Sequence, residues 1–381
     1  MRIAYVLTSL GVGGAEGQVV ALAERMALRG HAVSLVVLRP RQAEEWPTPL
    51  DVVRLEMRKT PTSLFAGLAR SSRFLRGFQP DLLHSHTFYA NMTARLLHLL
   101  ALLTAARRGF TQRRPVAPVI STIHNIYEGR WPRMLAYRLT DPLSRHTTAV
   151  SQAAAARFVR LKALSVRKSS VVTNGIDTAE FAPNLERRSS LRARMGVEEE
   201  FVWLAAGRIA AAKDYPNLLR AFARVHAVAA DARLWIAGEA VGNDLTAIKA
   251  LTAELGLADA VRWLGLRHDM PALLDAADGF VLASAWEGMP LAVGEAMAME
   301  KPVVATDVGG VRELVGEAGL IAAAKSPEEL AASMLALMWS ASEARVSLGR
   351  AARKRIQEKF SIEARVDEWE ALYRRVLERK I

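Results

Sequence analysis

The chain has 381 residues, 51% of them hydrophobic, which is enough for the cores of two ordinary domains. It contains no cysteine, so disulfides, thiolate metal sites and cysteine nucleophiles are excluded, and a cytoplasmic location fits. Residues 1–180 hold 25 Lys and Arg against 11 Asp and Glu, whereas the remainder is nearly neutral. This asymmetry indicates acidic ligands, an anionic membrane surface or nucleic acid, although no nucleic-acid motif accompanies it.

The first elements follow the pattern of a doubly wound α/β domain. They are a strand at 2–8, a glycine-rich turn at 9–17, an amphipathic helix at 18–29 and a strand at 31–38. A dinucleotide site is disfavoured, because Glu16 occupies the third glycine position of G-x-G-x-x-G and the second strand ends in Arg39. Gly13 and Gly14 still permit close approach of the backbone to a ligand, although the turn could simply be tight.

Two basic clusters account for much of the positive charge in the first half. The first, at residues 58–78, interleaves Lys and Arg with Leu and Phe, as in an interfacial helix. The second comprises Arg107, Arg108, Arg113 and Arg114. We expect contact with an anionic membrane surface; the alternative is an ordinary solvated surface of an arginine-rich protein. The apolar run at 96–106 is too short to span a bilayer.

Further short apolar runs predict parallel strands whose carboxyl ends carry polar residues. These runs lie at 81–84, 119–123, 147–150 and 170–173. His86 and His124 follow the first two, at the edge where open α/β sheets bind ligands. A functional role is favoured for His124, whereas His86 fits a structural role better.

A charged stretch with no sustained apolar period, residues 177–200, is interpreted as the linker to a second α/β domain. That domain begins with a strand at 201–206. Arg208 and Lys213 flank the following loop, which ends at a helix start near Pro216. Two cations beside a helix start suit a diphosphate, although a solvated pair is also possible.

The segment 279–302 reads as strand, loop and helix, with Pro290 as the first helical residue. Glu287 lies in the loop and Glu295 on the second helical turn. A helix N-terminus favours a phosphate, and Glu295 could accept hydrogens from a ribose diol. Either carboxylate could instead face water, and Glu287 could cap the helix. A final amphipathic helix follows Ser361.

Four motifs, taken together in their order, resemble the retaining glycosyltransferases of family 4. They are GGAE at 13–16, NGID at 174–177, GR at 207–208 with Lys213, and EGMPLAVGE at 287–295. The resemblance implies the GT-B fold: an α/β architecture of two Rossmann-like, doubly wound parallel-sheet domains facing across a cleft. The implied divisions are an acceptor-side domain at 1–180, a donor-binding domain at 181–360, and a helix at 361–381 that crosses back to the first domain.

The resemblance also implies the reaction and its residues. A sugar would pass from a nucleotide diphosphate donor to a hydroxyl with retention of anomeric configuration, with no metal and no further cofactor. Arg208 and Lys213 would neutralise the diphosphate, Glu287 would face the sugar and Glu295 the ribose. His124 would line the reacting centre, counted with Glu287 and the two cations as catalytic.

The remaining implied contacts come from backbone. Gly13 and Gly14 would approach the diphosphate or the acceptor, and Met289 with the residues after it would contact sugar or phosphate. Here the chain has Met289-Pro290 where the commoner family pattern has Phe-Gly. Because Pro290 has no amide hydrogen, that contact would pass to Leu291 or Ala292.

The sequence therefore predicts a cytoplasmic enzyme, peripheral at the inner membrane face, that extends a lipid-linked or surface glycan such as lipopolysaccharide. UDP is favoured over GDP as the donor nucleotide, and nucleic acid is not expected as a partner. Three alternatives stay open: a soluble transferase acting on a small acceptor, a nucleotide-sugar epimerase of the same architecture, and a non-enzymatic binding protein on this scaffold.

Overall fold

The structure is a computed structural model that describes residues 1–107, 116–129, 131–240 and 244–378. The chain divides into two compact units. Unit 1 comprises residues 1–174 together with the chain from Glu363 onward, and unit 2 comprises Gly175–Ile362. These limits lie a few residues from the predicted divisions at 180 and 360.

Unit 1 is built on one parallel sheet. Its described strands are β1 (Arg2–Leu7), β2 (Ala32–Val37), β3 (Val52–Arg54), β4 (Leu82–His86), β5 (Val119–Ile123), β6 (His146–Ala149) and β7 (Ser169–Val171). They are ordered β3-β2-β1-β4-β5-β6-β7, and each neighbouring pair is parallel. Strands β1 and β5 are buried along nearly their whole length, as is typical of a parallel sheet that is covered on both faces.

Five described helices alternate with these strands: α1 (Gly14–Leu28), α2 (Pro61–Phe78), α3 (Phe88–Arg107), α4 (Trp131–Thr140) and α5 (Gln152–Arg160). The glycine-rich turn is shorter than expected, because α1 begins at Gly14 and not at Gln18. Gly13 caps α1 in an extended conformation. Among the described helices of the whole chain, none combines the length and apolar character needed to cross a bilayer.

The basic amphipathic segment predicted at 58–78 forms α2, but most of its apolar side chains belong to the core. Those packed on the core are Leu68, Phe74, Leu75 and Phe78. Of the large apolar side chains on this helix, Leu64 and Phe65 are exposed, the latter at 74%. Of the second basic cluster, the Arg107 side chain and Arg108, Arg113 and Arg114 lie outside the described residues.

Unit 2 repeats the doubly wound plan. Its described strands are β8 (Val202–Ala206), β9 (Arg233–Ala237), β10 (Val261–Gly265), β11 (Gly279–Leu282), β12 (Val303–Thr306) and β13 (Leu320–Ala322). They form a parallel sheet ordered β10-β9-β8-β11-β12-β13. The strand order reverses between β8 and β11, which is where open α/β sheets place ligands. The predicted fold class is confirmed.

The described helices of unit 2 precede, separate and follow these strands along the chain. They are α6 (Leu185–Met195), α7 (Tyr215–His226), α8 (Asp244–Glu254), α9 (Met270–Ala276), α10 (Leu291–Ala298), α11 (Val311–Val315), α12 (Pro327–Met338) and α13 (Ser342–Lys359). The core of this unit includes the fully buried Trp203, Leu219 and Phe222. Loops at the carboxyl ends of β8 and β11 carry the candidate functional residues.

The interpretation of residues 177–200 as a linker is wrong, because α6 occupies its middle. Asn184 caps this helix by accepting a hydrogen bond from the Arg187 amide. Arg187 then pairs with Asp275 at 2.7 Å, and Arg192 pairs with Asp278 at 3.0 Å. Ion pairs to residues far along the chain, and not an apolar stripe, therefore hold α6 in place within unit 2.

The last helix, α14 (Ile362–Leu377), packs within unit 1 through a buried hydrogen-bonded chain. The Tyr373 hydroxyl lies 3.1 Å from that of Tyr5 and 2.7 Å from Nδ1 of His84. The other ring nitrogen of His84 lies 2.7 Å from the Thr122 hydroxyl. Burial lowers the pKa of His84 well below its usual value, so the ring is neutral and one nitrogen donates while the other accepts.

Candidate functional site

The loop after β8 brings Lys213 to the carboxyl edge of the unit 2 sheet. A short 3₁₀ turn, Ala211–Lys213, precedes Asp214, whose left-handed backbone (φ +45°) starts α7. The Asp214 side chain caps that helix by accepting from the Asn217 amide. The turn directs Nζ of Lys213 to within 2.6 Å of Oε1 of Glu287. The sequence placed these residues in separate loops, and the structure brings them together.

Glu287 is a nearly buried carboxylate in the loop between β11 and α10, with 8% of the residue exposed. A second donor, the hydroxyl of Ser284, lies 2.7 Å from the same oxygen that Lys213 contacts. A buried charge is tolerated when it is paired and hydrogen-bonded, which both donors provide. Ser284 was not singled out from the sequence, although it stands only three residues before Glu287.

Glu295 lies on α10 and shares the electrostatic environment of Lys213. Burial raises the pKa of Glu295 to about 7, the negative charge of Glu180 adds to the rise, and Lys213 opposes it. Lys213 is thus in direct contact with Glu287, and its charge also acts on the carboxyl group of Glu295.

Arg208 is an exposed side chain on a loop whose backbone is held firmly. The Tyr215 hydroxyl donates a 2.7 Å hydrogen bond to the carbonyl of Gly207, and the Ile209 amide donates to the carbonyl of Glu239. Among the described residues, no hydrogen-bond or ion-pair partner is found for the Arg208 guanidinium. Tyr215 was missed by the sequence reasoning; its only signal was its place beside Pro216 at a helix start.

The start of α10 differs by one residue from the prediction. Pro290 is the cap residue and Leu291 is the first helical residue. The amides of Leu291 and Ala292 therefore lie in the first turn, where amides lack partners within the helix. Met289, just before the cap, is buried at 6% exposure. The Gly310 amide donates to the Gly288 carbonyl at 2.9 Å, which fixes the loop that carries these residues.

In unit 1, a strap of chain covers the turn that contains Gly13 and Gly14. The Trp46 indole donates a 3.0 Å hydrogen bond to the Gly13 carbonyl. A methyl group on Gly17 would lie 2.7 Å from the same indole ring, so the ring rests directly on the start of α1. Trp46 gave no sequence signal, because it lies in an irregular segment without periodicity.

His124, at the end of β5, pairs with His86 at the end of β4. Nδ1 of His86 lies 2.9 Å from Nε2 of His124. Burial lowers the pKa of His124 to about 4 and also lowers the pKa of His86 well below its usual value, so both rings are neutral near neutral pH. Both line a small cavity within unit 1, together with Thr122, Asn174 and Trp369. The structure thus joins the histidine favoured for function to the one considered structural.

Glu128 fixes the loop that follows His124. Its carboxylate accepts from the His124 amide at 3.2 Å and from the Tyr137 hydroxyl at 2.6 Å. Burial raises the pKa of Glu128 to about 7, although its hydrogen bonds act in the opposite direction. The sequence analysis did not identify this residue, which follows a strand end by five positions.

Two family models match the chain. Residues 12–180 match the model described as Glycosyltransferase Family 4, and residues 200–339 match the model described as Glycosyl transferases group 1. Together the matches take in most of both units. The chain belongs to glycosyltransferase family 4. It is therefore a glycosyl-transferring enzyme, as the motifs indicated.

This glycosyltransferase is 28% identical over 278 residues to the alpha-D-kanosaminyltransferase of Streptomyces kanamyceticus, covering 68% of this chain and 71% of that protein. It is 32% identical over 178 residues to the lipopolysaccharide core biosynthesis mannosyltransferase LpsB of Rhizobium meliloti, covering 45% of this chain. That second alignment spans only 50% of LpsB.

Among solved structures, HepE of Anabaena in complex with UDP and glucose superposes with a TM-score of 0.83 at 20% identity. The alignment covers 98% of this glycosyltransferase and 99% of HepE. At this level of identity the similarity shows the fold, which is GT-B.

Proposed function

We propose that this glycosyltransferase moves a sugar from a nucleotide diphosphate sugar to a hydroxyl of a lipid-linked or surface glycan, with retention and without a bound metal. The observation that carries the proposal is the ion pair of Lys213 and Glu287 at the carboxyl edge of the unit 2 sheet, whose lysine charge also acts on Glu295. A cation suits a diphosphate, and carboxylates suit the hydroxyls of a sugar and a ribose. UDP is the proposed nucleotide, since the fold neighbour HepE was solved with UDP and glucose.

In this proposal the cations of unit 2 perform the main electrostatic work. Arg208 and Lys213 take up the charge that develops on the diphosphate as the anomeric bond breaks. The amides of Leu291 and Ala292, after Met289, contribute the positive end of the α10 dipole. Glu295 binds the ribose diol, and Glu287 accepts from a hydroxyl of the donor sugar.

The proposed chemistry keeps the anomeric configuration by attack on the face from which the nucleotide leaves. The acceptor hydroxyl forms the new bond to the anomeric carbon, the bond to the phosphate oxygen breaks, and the departing phosphate takes the hydroxyl proton. This scheme does not require Glu287 and Glu295 to lie on either side of the reacting bond, as the two carboxylates of a retaining glycosidase do. His124 contacts the donor sugar in this scheme, and Gly13 and Gly14 contact the acceptor or the diphosphate.

The proposal is tested by donor binding and turnover in matched lysine variants. A thermal-shift screen across UDP, GDP and their sugars identifies the donor, because a bound ligand stabilises the folded state. K213A is expected to lose nucleotide binding and turnover, whereas K354A, which removes an exposed lysine on α13, is expected to behave as wild type. Full turnover by K213A or E295A would contradict the assignment of the donor site.

We also propose that unit 1 contacts an anionic membrane that carries the acceptor. Besides its positive charge, exposed apolar side chains support this. They include Phe65 on α2, Leu100 and Leu103 on α3, and Trp131, Leu135 and Leu139 on α4. The last three recur every fourth residue, so they share one helix face. Basic side chains flank such apolar ones in membrane-surface helices.

A flotation assay with vesicles that contain anionic lipid tests this part separately. The wild type is expected to float at low salt and to dissociate as salt screens the basic charge. L139D, on the exposed face of α4, is expected to float less, whereas L185D, at a leucine on unit 2 that is even more exposed, is expected to float normally. No flotation at low salt would exclude the membrane and favour a small soluble acceptor.

A further inference from the structure

The backbone around Ser284 is held by hydrogen bonds to two other segments of unit 2. Ser284 stands two residues after the end of β11 and is fully buried. Its carbonyl accepts a 2.7 Å hydrogen bond from the hydroxyl of Thr306 at the end of β12. The next residue, Ala285, donates its amide to the carbonyl of Ala212 at 2.8 Å. The ends of β11 and β12 and the Lys213 loop are therefore joined at this serine.

The side chain of Ser284 acts on one particular oxygen of Glu287. Oε1 of Glu287 receives both the Ser284 hydroxyl and the Lys213 ammonium, at 2.7 and 2.6 Å. No hydrogen-bond partner of Oε2 is found within the part of the chain that the structure describes, and this oxygen is not among the buried unpaired atoms. Two donors satisfy Oε1, so Oε2 is the oxygen open to a ligand hydroxyl.

The two donors differ in how firmly they hold the carboxylate. Lys213 ends a flexible four-carbon stem and carries a charge that a diphosphate would attract. Ser284 has a short side chain on a buried backbone that Thr306 holds. If the lysine turned toward a diphosphate, the serine bond to Glu287 would be left in place.

We infer that Ser284 is a positioning residue, which keeps Glu287 oriented with Oε2 toward a hydroxyl of the donor sugar while Lys213 is engaged by the diphosphate. This inference rests on the donor-binding role proposed for unit 2. It predicts that Ser284 affects recognition of the sugar and leaves recognition of the nucleotide unchanged.

The test is an equilibrium titration of the full chain with UDP-glucose, UDP-N-acetylglucosamine and GDP-mannose, each paired with its own nucleoside diphosphate. For the tightest pair, S284A should weaken sugar-nucleotide binding about tenfold and change nucleoside diphosphate binding by less than about twofold. S284T, which keeps a hydroxyl, should restore the affinity. S340A, which removes a serine hydroxyl with a 2.7 Å bond at the end of α12, is the matched control and should match wild type.

T306V provides an independent test in case S284A misfolds. T306V removes the bond to the Ser284 carbonyl and should weaken sugar-nucleotide binding in the same selective way, by about threefold. Equal losses for both ligands, or no loss in S284A, would overturn the positioning role. If the wild type bound none of the nucleotides, the proposed donor site itself would fall, and the inference with it.

Discussion

Replacing Glu295 by glutamine should stabilise unit 2 in a strongly pH-dependent way. Burial raises the pKa of Glu295 to about 7 from an ordinary 4.5. The native state therefore holds a proton that the unfolded state releases at lower pH. Stability of the wild type is full below the ordinary pKa and is lost as the pH rises through the raised one. Glutamine is isosteric and never ionises, so it avoids the loss.

The size of the effect follows from the two pKa values. At about pH 8 the raised pKa of Glu295 lowers the free energy of unfolding by about 3 kcal/mol. At about pH 5.5 it lowers the free energy of unfolding by about 1 kcal/mol. Because Glu295 is only partly buried, these figures are upper values. E295Q should therefore gain more stability at the higher pH, and it should lose nucleotide-sugar binding because it removes the carboxylate that we propose to bind the ribose.

Urea denaturation at the two pH values measures this gain, with the unfolding of unit 2 followed separately where two transitions appear. E254Q, at an exposed glutamate that ends α8, serves as the control and should change stability little at either pH. A gain in E295Q that did not grow with pH would refute the argument. So would a loss of stability at the higher pH, because it would mean that the ionised carboxylate is favourably paired.

Two further predictions concern backbone and packing. A methyl group on Gly238 would lie 2.0 Å from the Gly207 carbonyl, beside Arg208, so G238A should destabilise unit 2 and weaken nucleotide binding. The control is G256A, whose methyl group would meet nothing within 4 Å and which should lower the free energy of unfolding by about 1 kcal/mol. In unit 1, Y373F should leave a nitrogen of His84 unpaired and cost about 1–3 kcal/mol, more than Y5F, which removes one longer bond. Urea midpoints measure both comparisons, and a larger loss in G256A or in Y5F would contradict them.

The parts of the site that lie in one strand, loop and helix were predictable from sequence. The apolar run before Glu287 and the proline before Leu291 set the strand end and the helix start within one residue. Parallel strands place such loops at one edge of a sheet, so Lys213 was expected near the same edge. Its direct ion pair with Glu287 depends on the 3₁₀ turn after β8, for which the sequence has no distinct signal.

The missed features depend on contacts between distant residues. Helix α6 has no apolar stripe, and its arginines find Asp275 and Asp278 more than 80 positions later. The pairing of His86 with His124 depends on the order of β4 and β5 in the sheet, which periodicity does not reveal. Trp46 contacts Gly13 from an irregular segment, where patterns carry no information.

The hydrogen-bonded chain from Tyr5 through Tyr373 to His84 has a consequence for biosynthesis. Unit 1 includes residues 1–174, yet the helix that completes it, α14, is synthesised only after the whole of unit 2. At the usual speed of a ribosome, translation of residues 175–362 takes roughly 10–40 s. During that interval Tyr5 and His84 lack their hydrogen-bond partner Tyr373. A nascent chain that stalls before Tyr373 therefore exposes an incomplete core of unit 1 to chaperones and proteases.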